Sequence, residues 1–146
     1  MHKNIILSVI GPDEPGIVSS ISEVVKNHSG NINKSRMVRL GDFFTIMVLI
    51  SINESNIHSL NSELKKYLNY QIIIHELKND SINNINENIH VLHLNGIDNE
   101  GLVYKITNEL AKLHINIEEL ETNISNAPMS GLTLFSLIAK ISHPNL

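Results

Sequence analysis

Shifted against itself by 85 positions, the sequence superimposes residues 6–32, ILSVIGPDEPGIVSSISEVVKNHSGNI, on residues 91–117, VLHLNGIDNEGLVYKITNELAKLHINI, without a gap. The identities include Leu7 with Leu92, Gly11 with Gly96, Asp13 with Asp98, Gly16 with Gly101, Val18 with Val103, Ile21 with Ile106, Asn31 with Asn116 and Ile32 with Ile117. A match at one fixed period is the mark of a duplicated supersecondary unit, so the fold must be built from two copies of one module. The 146 residues are enough for two small modules, and a hydrophobic content of 42% is enough to give them cores.

The first copy opens with Asn4 to Ile10, mostly β-branched and closed by Gly11-Pro12, the pattern of a buried strand. Beyond Asp13-Glu14-Pro15-Gly16 the apolar residues Ile17, Val18, Ile21, Val24 and Val25, followed by His28, fall at the spacing of an amphipathic helix. Asp13 is expected to cap its first turn, Pro15 to fit where an amide has no partner, and Gly30 to take the left-handed conformation at its exit. Strand two is expected from Asn31 to Leu40, a turn at Gly41-Asp42, and strand three from Phe43 to Ile52. Ile57, Leu60, Leu64 and Leu68 then mark a second helix, and Tyr70 to Leu77 a last strand, giving the order β-α-β-β-α-β.

Residues 78–88, KNDSINNINEN, have no sustained apolar period and read as a solvated linker, placing the modules at 1–78 and 89–146 with 79–88 between them. The second copy repeats a strand at 89–95, a helix near 100–114, and strands at 115–124 and 132–141. It then stops, as β-α-β-β. The loop Asn123–Ser130 lengthens its hairpin relative to the Gly41 turn, and reads as an ordinary exposed loop before a partner-docking one.

Both copies place Gly-x-Asp-x-x-Gly between first strand and first helix, Gly11 to Gly16 and Gly96 to Gly101. Tight-turn chemistry accounts for much of this pattern. The amides of a helix's first turn also attract an anion such as a carboxylate, Gly16 lets it approach the backbone, and Asp13 offers a counter-charge to an ammonium. A free amino acid carries both groups.

The strand, the Asp-Glu-Pro-Gly turn, the amphipathic helix and the Asn-Ile that opens strand two resemble the ACT domain, over residues 3–77 fully and 89–142 in part. The resemblance implies an α+β fold of two ferredoxin-like β-α-β-β-α-β modules, the second truncated to β-α-β-β, and a small ligand, an amino acid or a relative of one, bound between paired domains. It implies ligand contacts at Asp13 with Asn31 and at Asp98 with Asn116, flanked by Glu14, Gly16, Ile17 and Ile32 in the first copy and by Gly101 and Leu102 in the second. Glu100 stands where the first copy has Pro15, which adds a negative charge beside any bound carboxylate and weakens the second site. In a ferredoxin-like sheet, ordered 4-1-3-2, the shortened second copy exposes an edge of residues 89–95, so a homodimer is expected to cover it.

Other chemistries find little support. The net charge of −4, with 11 basic residues of which only Arg36 and Arg39 are arginines, argues against direct nucleic-acid binding. The absence of cysteine removes disulfides and thiolate sites, and no apolar run approaches the roughly 20 residues that span a bilayer, so a soluble cytoplasmic protein without a signal peptide is expected. His90 and His93, three apart on a strand, face opposite ways, and none of the eight histidines has a ligand partner at helical spacing, so no metal is expected. Neither a nucleophile elbow nor a phosphate or dinucleotide loop is present, and no cofactor is expected. Phe43 and Phe44 are expected to alternate between core and interface, and Lys34 and Arg36 to share one face of strand two.

Tandem ACT modules with little else resemble repressors of the glycine cleavage type, which act through a partner activator. The leading expectation is therefore a non-enzymatic regulator that senses an amino acid, with glycine first in line, and modulates a transcription activator by protein contact. The alternatives are a fragment of an ACT-bearing enzyme such as a formyltetrahydrofolate hydrolase, and a dimerisation scaffold with no ligand.

Overall fold

A computed structural model describes residues 1–78, 88–97 and 100–143. The chain divides into two compact units, Met1–Asn84 and Ile85–Leu146.

In the first unit, β1 (His2–Pro12) and β3 (Phe43–Asn53) alternate: Ile5, Leu7 and Val9 of one and Phe44, Ile46, Val48, Ile50 and Ile52 of the other are buried on one face. That face is covered by α1 (Ile17–Asn27), through Ile17, Ile21, Val24 and Val25, and by α2 (Ile57–Leu64), through Leu60 and Leu64. A 3-10 turn at Glu54–Asn56 leads into α2. With β2 (Asn31–Leu40) and β4 (Gln71–Glu76) the sheet is ordered β2-β3-β1-β4, every neighbouring pair antiparallel. This is the ferredoxin-like arrangement the element order implies.

The second unit contains β5 (Ile89–Ile97), α3 (Leu102–Lys112), β6 (Asn116–Asn126) and β7 (Thr133–Ser142) in a three-stranded sheet ordered β5-β7-β6. Its core is Leu110 of α3 against Phe135, Leu137, Ala139 and Ile141 of β7, with Leu92, Leu94, Leu102 and Ile106 packed beside them. β5 is an edge strand among the described residues, with Ile89, Val91 and Ile97 exposed. The duplication reaches into backbone detail. Each unit shifts register at the same place in its second strand, between Ile32 and Lys34 and between Ile117 and Glu119.

Several local expectations are corrected. Asp13 does not cap α1: the N-cap is Gly16 at φ 87°, with no side-chain cap, and Pro15 precedes the helix instead of opening it. The left-handed residue at the exit is Ser29, at φ 57°, and its counterpart His114 is at φ 56°. Gly30 is needed for space, because a Cβ there would lie 2.8 Å from Val25 Cγ1. α2 ends at Leu64, and Leu68 is 90% exposed, so the apolar stripe stops a turn earlier than its spacing suggests. Residues 123–126 belong to β6, so the longer hairpin loop begins at Ala127, whose amide donates to the Leu132 carbonyl at 2.8 Å. The linker residues 79–87 and the terminal residues 144–146 lie outside the described residues.

Candidate functional site

The candidate loop of the first unit is held from three sides. The Asp13 amide donates to the Asp42 carbonyl at 2.9 Å, tying the loop to the β2–β3 turn. The Tyr70 hydroxyl donates to the Pro12 carbonyl at 2.8 Å, and its ring packs edge-on against Phe44 with centroids 6.1 Å apart. That ring also lies so close over Gly11 that any side chain there would strike it. Burial raises the Tyr70 hydroxyl above its ordinary pKa, and the carboxylates of Glu14 and Asp13 raise it further, so it stays a donor.

The loop delivers the chain to a helix start with no side-chain cap. Gly16 takes a left-handed conformation that an L side chain adopts only at a cost, and no acidic residue occupies the first turn of α1. The Ile17 amide is taken by the Glu14 carbonyl, so what this helix start offers an anion is the amides that follow it and the positive end of the helix dipole. α3 begins the same way, at Gly101 with φ 77° and no side-chain cap.

Asp13 is already engaged. Its Oδ2 lies 3.3 Å from Arg39 Nε, and that nitrogen also donates to the Gly41 carbonyl at 3.1 Å. The pair is well solvated, so it is weak and a competing ammonium can displace the guanidinium. Nothing in the spacing of the sequence links Arg39 to Asp13; they meet because β1 and β2, each antiparallel to β3, finish at the same end of the sheet.

The structure does not bring Asp13 and Asn31 together within the unit. Pro12 lies across from Phe43, whereas Asn31 lies across from Ser51. At about 3.4 Å per residue the two positions are roughly 27 Å apart along β3. Asn31 instead donates through Nδ2 to Asn33 Oδ1 at 2.9 Å, and Ile32 is a half-exposed neighbour at that same far end. Glu14 and Ile17 stay with Asp13 and Gly16 at the loop, the Ile17 amide donating to the Glu14 carbonyl at 3.3 Å.

The second copy follows the same plan. Asn116 opens β6 across from Ser142, while Gly101 and Leu102 open α3 at the end of the sheet where Ile97 and Leu134 pair. Asp98 lies outside the described residues. Asn116 Nδ2 donates to Glu118 Oε1 at 2.7 Å, and Ser142 Oγ donates to the same oxygen at 2.6 Å. Glu118 occupies the bulge where the first copy has Asn33, and these two hydrogen bonds, Ser142 first, hold its carboxyl below its ordinary 4.5. The motif pattern does not single out either bulge residue.

Two further features bear on chemistry. A hollow of about 230 Å³, lined by Ile10, Val38, Leu40, Phe43, Phe44 and Thr45, lies at the loop end of the first sheet. Among the described residues no three His, Asp or Glu side chains cluster as metal ligands, and no helix is long and apolar enough to cross a membrane.

The sequence pattern described as the ACT domain matches residues 3–74. The UPF0237 protein of Methanococcus maripaludis is 35% identical over 66 residues, 44% of this chain and 73% of that protein. The glycine cleavage system transcriptional repressor of Escherichia coli is 35% identical over 60 residues, 41% of this chain and 32% of the repressor. The crystal structure of an unknown protein from Galdieria sulphuraria superimposes with a TM-score of 0.88 at 34% identity, covering 99% of this chain and 84% of that one. The shared pattern, the UPF0237 relative matched over 73% of its length and the Galdieria structure matched over 84% of its own agree: the chain belongs to the ACT-domain family, with UPF0237 proteins and a glycine cleavage repressor among its relatives.

Proposed function

We propose that this chain is a non-enzymatic cytoplasmic regulator. Its two ACT modules, residues 1–78 and 89–146 joined by an Asn-rich linker, bind a free amino acid, with glycine as first candidate, and change how the protein docks onto a transcription activator. The observation that carries this reading is the twice-built helix start: a left-handed glycine, no side-chain cap, and an aspartate three residues before it. A ligand carboxylate satisfies the first-turn amides, and Asp13, exchanging Arg39 for an ammonium, holds the other end of the zwitterion. The similarity to a transcriptional repressor supplies the regulatory direction. Regulation further requires that the ligand favour one arrangement of the protein, since equal affinity for two states shifts neither.

Isothermal titration against the twenty amino acids tests the proposal. Heat is expected with one or a few of them, and Asp13→Ala is expected to weaken that binding about tenfold or more, the scale of one lost charge-assisted hydrogen bond. Arg39→Ala removes the ion pair but keeps the carboxylate, so it is expected to retain or tighten binding. Equal losses in both variants would show that Asp13 serves only the loop, and a folded protein that gives no heat with any amino acid would end the sensing hypothesis.

A further inference from the structure

The sheet of the first unit is apolar on both faces, and among the described residues helices cover only one. α1 and α2 lie on the side of Ile5, Val48 and Ile50. The register turns the alternate residues outward in rows across the sheet, with Met47 and Ile73 in one row, Val38 and Ile10 in the next, and Leu40 and Phe43 in the last. Each of these six is 44–78% exposed. An antiparallel sheet with a free face ordinarily turns polar residues to it, and a contiguous apolar patch there marks an interaction site. With strands about 5 Å apart and rows about 7 Å apart, the patch measures roughly 15 by 14 Å. One helix, about 10–12 Å across with its side chains, covers it.

Charge decides what kind of cover fits. No outward position of the four strands is an aspartate or a glutamate, although the chain carries 15 of them, and Asp42 sits in the turn beyond the strand ends. The Lys and Arg side chains at outward positions are Lys34 and Arg36, both on β2. A second copy of this face brings only its own Lys34 and Arg36, and like charges set against each other repel. The equivalent face of the second sheet carries Glu119 and Glu121, but Lys140 lies across from Glu119 and already pairs with it at 3.3 Å. A nucleic acid finds one aromatic ring, Phe43, among six large side chains, too little to stack successive bases. An apolar peptide stripe with carboxylates beside it matches both the floor and its charge.

We propose that this outer face seats an acidic amphipathic helix of a partner protein. The apolar stripe of that helix lies across β3 and β1, and its carboxylates meet Lys34 and Arg36 along β2. One large side chain enters the hollow of about 230 Å³ bounded by Ile10, Val38, Leu40 and Phe43, as an anchor. The proposal uses neither the aspartate loop nor a ligand, so it stands or falls apart from the amino-acid reading.

The test is NMR titration of the isotope-labelled full chain with a synthetic helical peptide that carries leucines at i, i+3, i+4 and i+7 and glutamates on both flanks. Binding is expected, with amide shifts concentrated in β1, β2 and β3. The same peptide with lysine in place of each glutamate is expected to bind about tenfold more weakly or worse. Met47→Glu and Val38→Glu set a carboxylate in the patch at exposed positions, so each is expected to fold as the parent does, by circular dichroism, and to bind the acidic peptide about tenfold more weakly or worse. Lys34→Glu/Arg36→Glu leaves the floor intact and is expected to reverse the preference, taking the basic peptide over the acidic one. Equal binding of the two peptides, shifts outside the first sheet, or a charge-reversed variant that keeps the parent's preference would each overturn the proposal. So would tighter binding of a uridine oligonucleotide than of the acidic peptide, or a parent chain that light scattering shows to be a dimer and that Met47→Glu makes a monomer, since the face then belongs to a nucleic acid or to a second copy.

Discussion

At the scale of single residues, Gly11 and Gly30 are required for space and Gly16 for backbone conformation, and substitutions separate the two causes. A methyl group at Gly11 meets the Tyr70 ring, and one at Gly30 meets Val25 and Ile50. Gly11→Ala and Gly30→Ala are each expected to cost about 1–3 kcal/mol, the usual penalty of overpacking, read as a lowered thermal midpoint. Gly16 has open space around its Cα but φ 87°, so Gly16→Ala is expected to cost about 1 kcal/mol and to leave the packing of Tyr70 undisturbed. Near-ultraviolet circular dichroism of the tyrosines distinguishes the cases. Glu118 provides a pH dependence. Hydrogen bonds from Ser142 and Asn116 depress its carboxyl below 4.5, so its contribution is present above that value and is lost as the pH falls through the lower, folded-state pKa. Glu118→Gln removes the titrating group, and its melting temperature is expected to fall less than the parent's between about pH 6 and pH 3. A parallel fall in the two proteins would mean that the carboxylate contributes nothing.

At the scale of elements, hydrophobic periodicity was sufficient for the order β-α-β-β-α-β in one unit and β-α-β-β in the other, because β1, α1, β3 and α3 bury one regular stripe each. It failed where packing outranks local preference. Gly30 resembles a helix exit, yet Ser29 makes the left-handed step, since the close approach to Val25 excludes any side chain at 30 and the turn is displaced by one residue. Ser29→Gly is accordingly expected to stabilise the protein by a few tenths of a kcal/mol, and a loss of stability would mean that the Ser29 side chain matters. Asp13 and Asn31 stand at opposite ends of one unit for a topological reason. A helix that follows a strand runs back along it, so β2 must begin at the end of the sheet where β1 began, far from the loop that ends β1. Motif spacing locates both residues but says nothing of which end each occupies. Arg39, at the far end of β2, is the residue that the same reasoning places beside Asp13.

At the scale of the whole molecule, the duplication is faithful in backbone and unequal in core. Among the described residues the first unit buries fourteen apolar side chains in its cluster, from Ile5 to Leu64, and the second five, from Leu110 to Ile141. Hydrophobic burial is the main favourable term in folding, so two units of one plan with such different cores are not equally resistant to opening. In hydrogen exchange, amides at the centres of β1 and β3 are expected to outlast those of β5 and β7, although both sets lie in regular antiparallel ladders. Core truncations sharpen the comparison. Replacing Leu60, fully buried on the inner face of α2, or Leu137, 1% exposed at the centre of β7, by alanine is expected to cost about 2–5 kcal/mol each. That loss leaves a unit with a large core still folded, whereas it removes much of what a small core supplies. Leu137→Ala is therefore expected to bring the β5 and β7 amides close to unprotected exchange, while Leu60→Ala leaves β1 and β3 measurably protected. Equal protection of the two sheets in the parent protein would show that something other than these side chains stabilises the second unit.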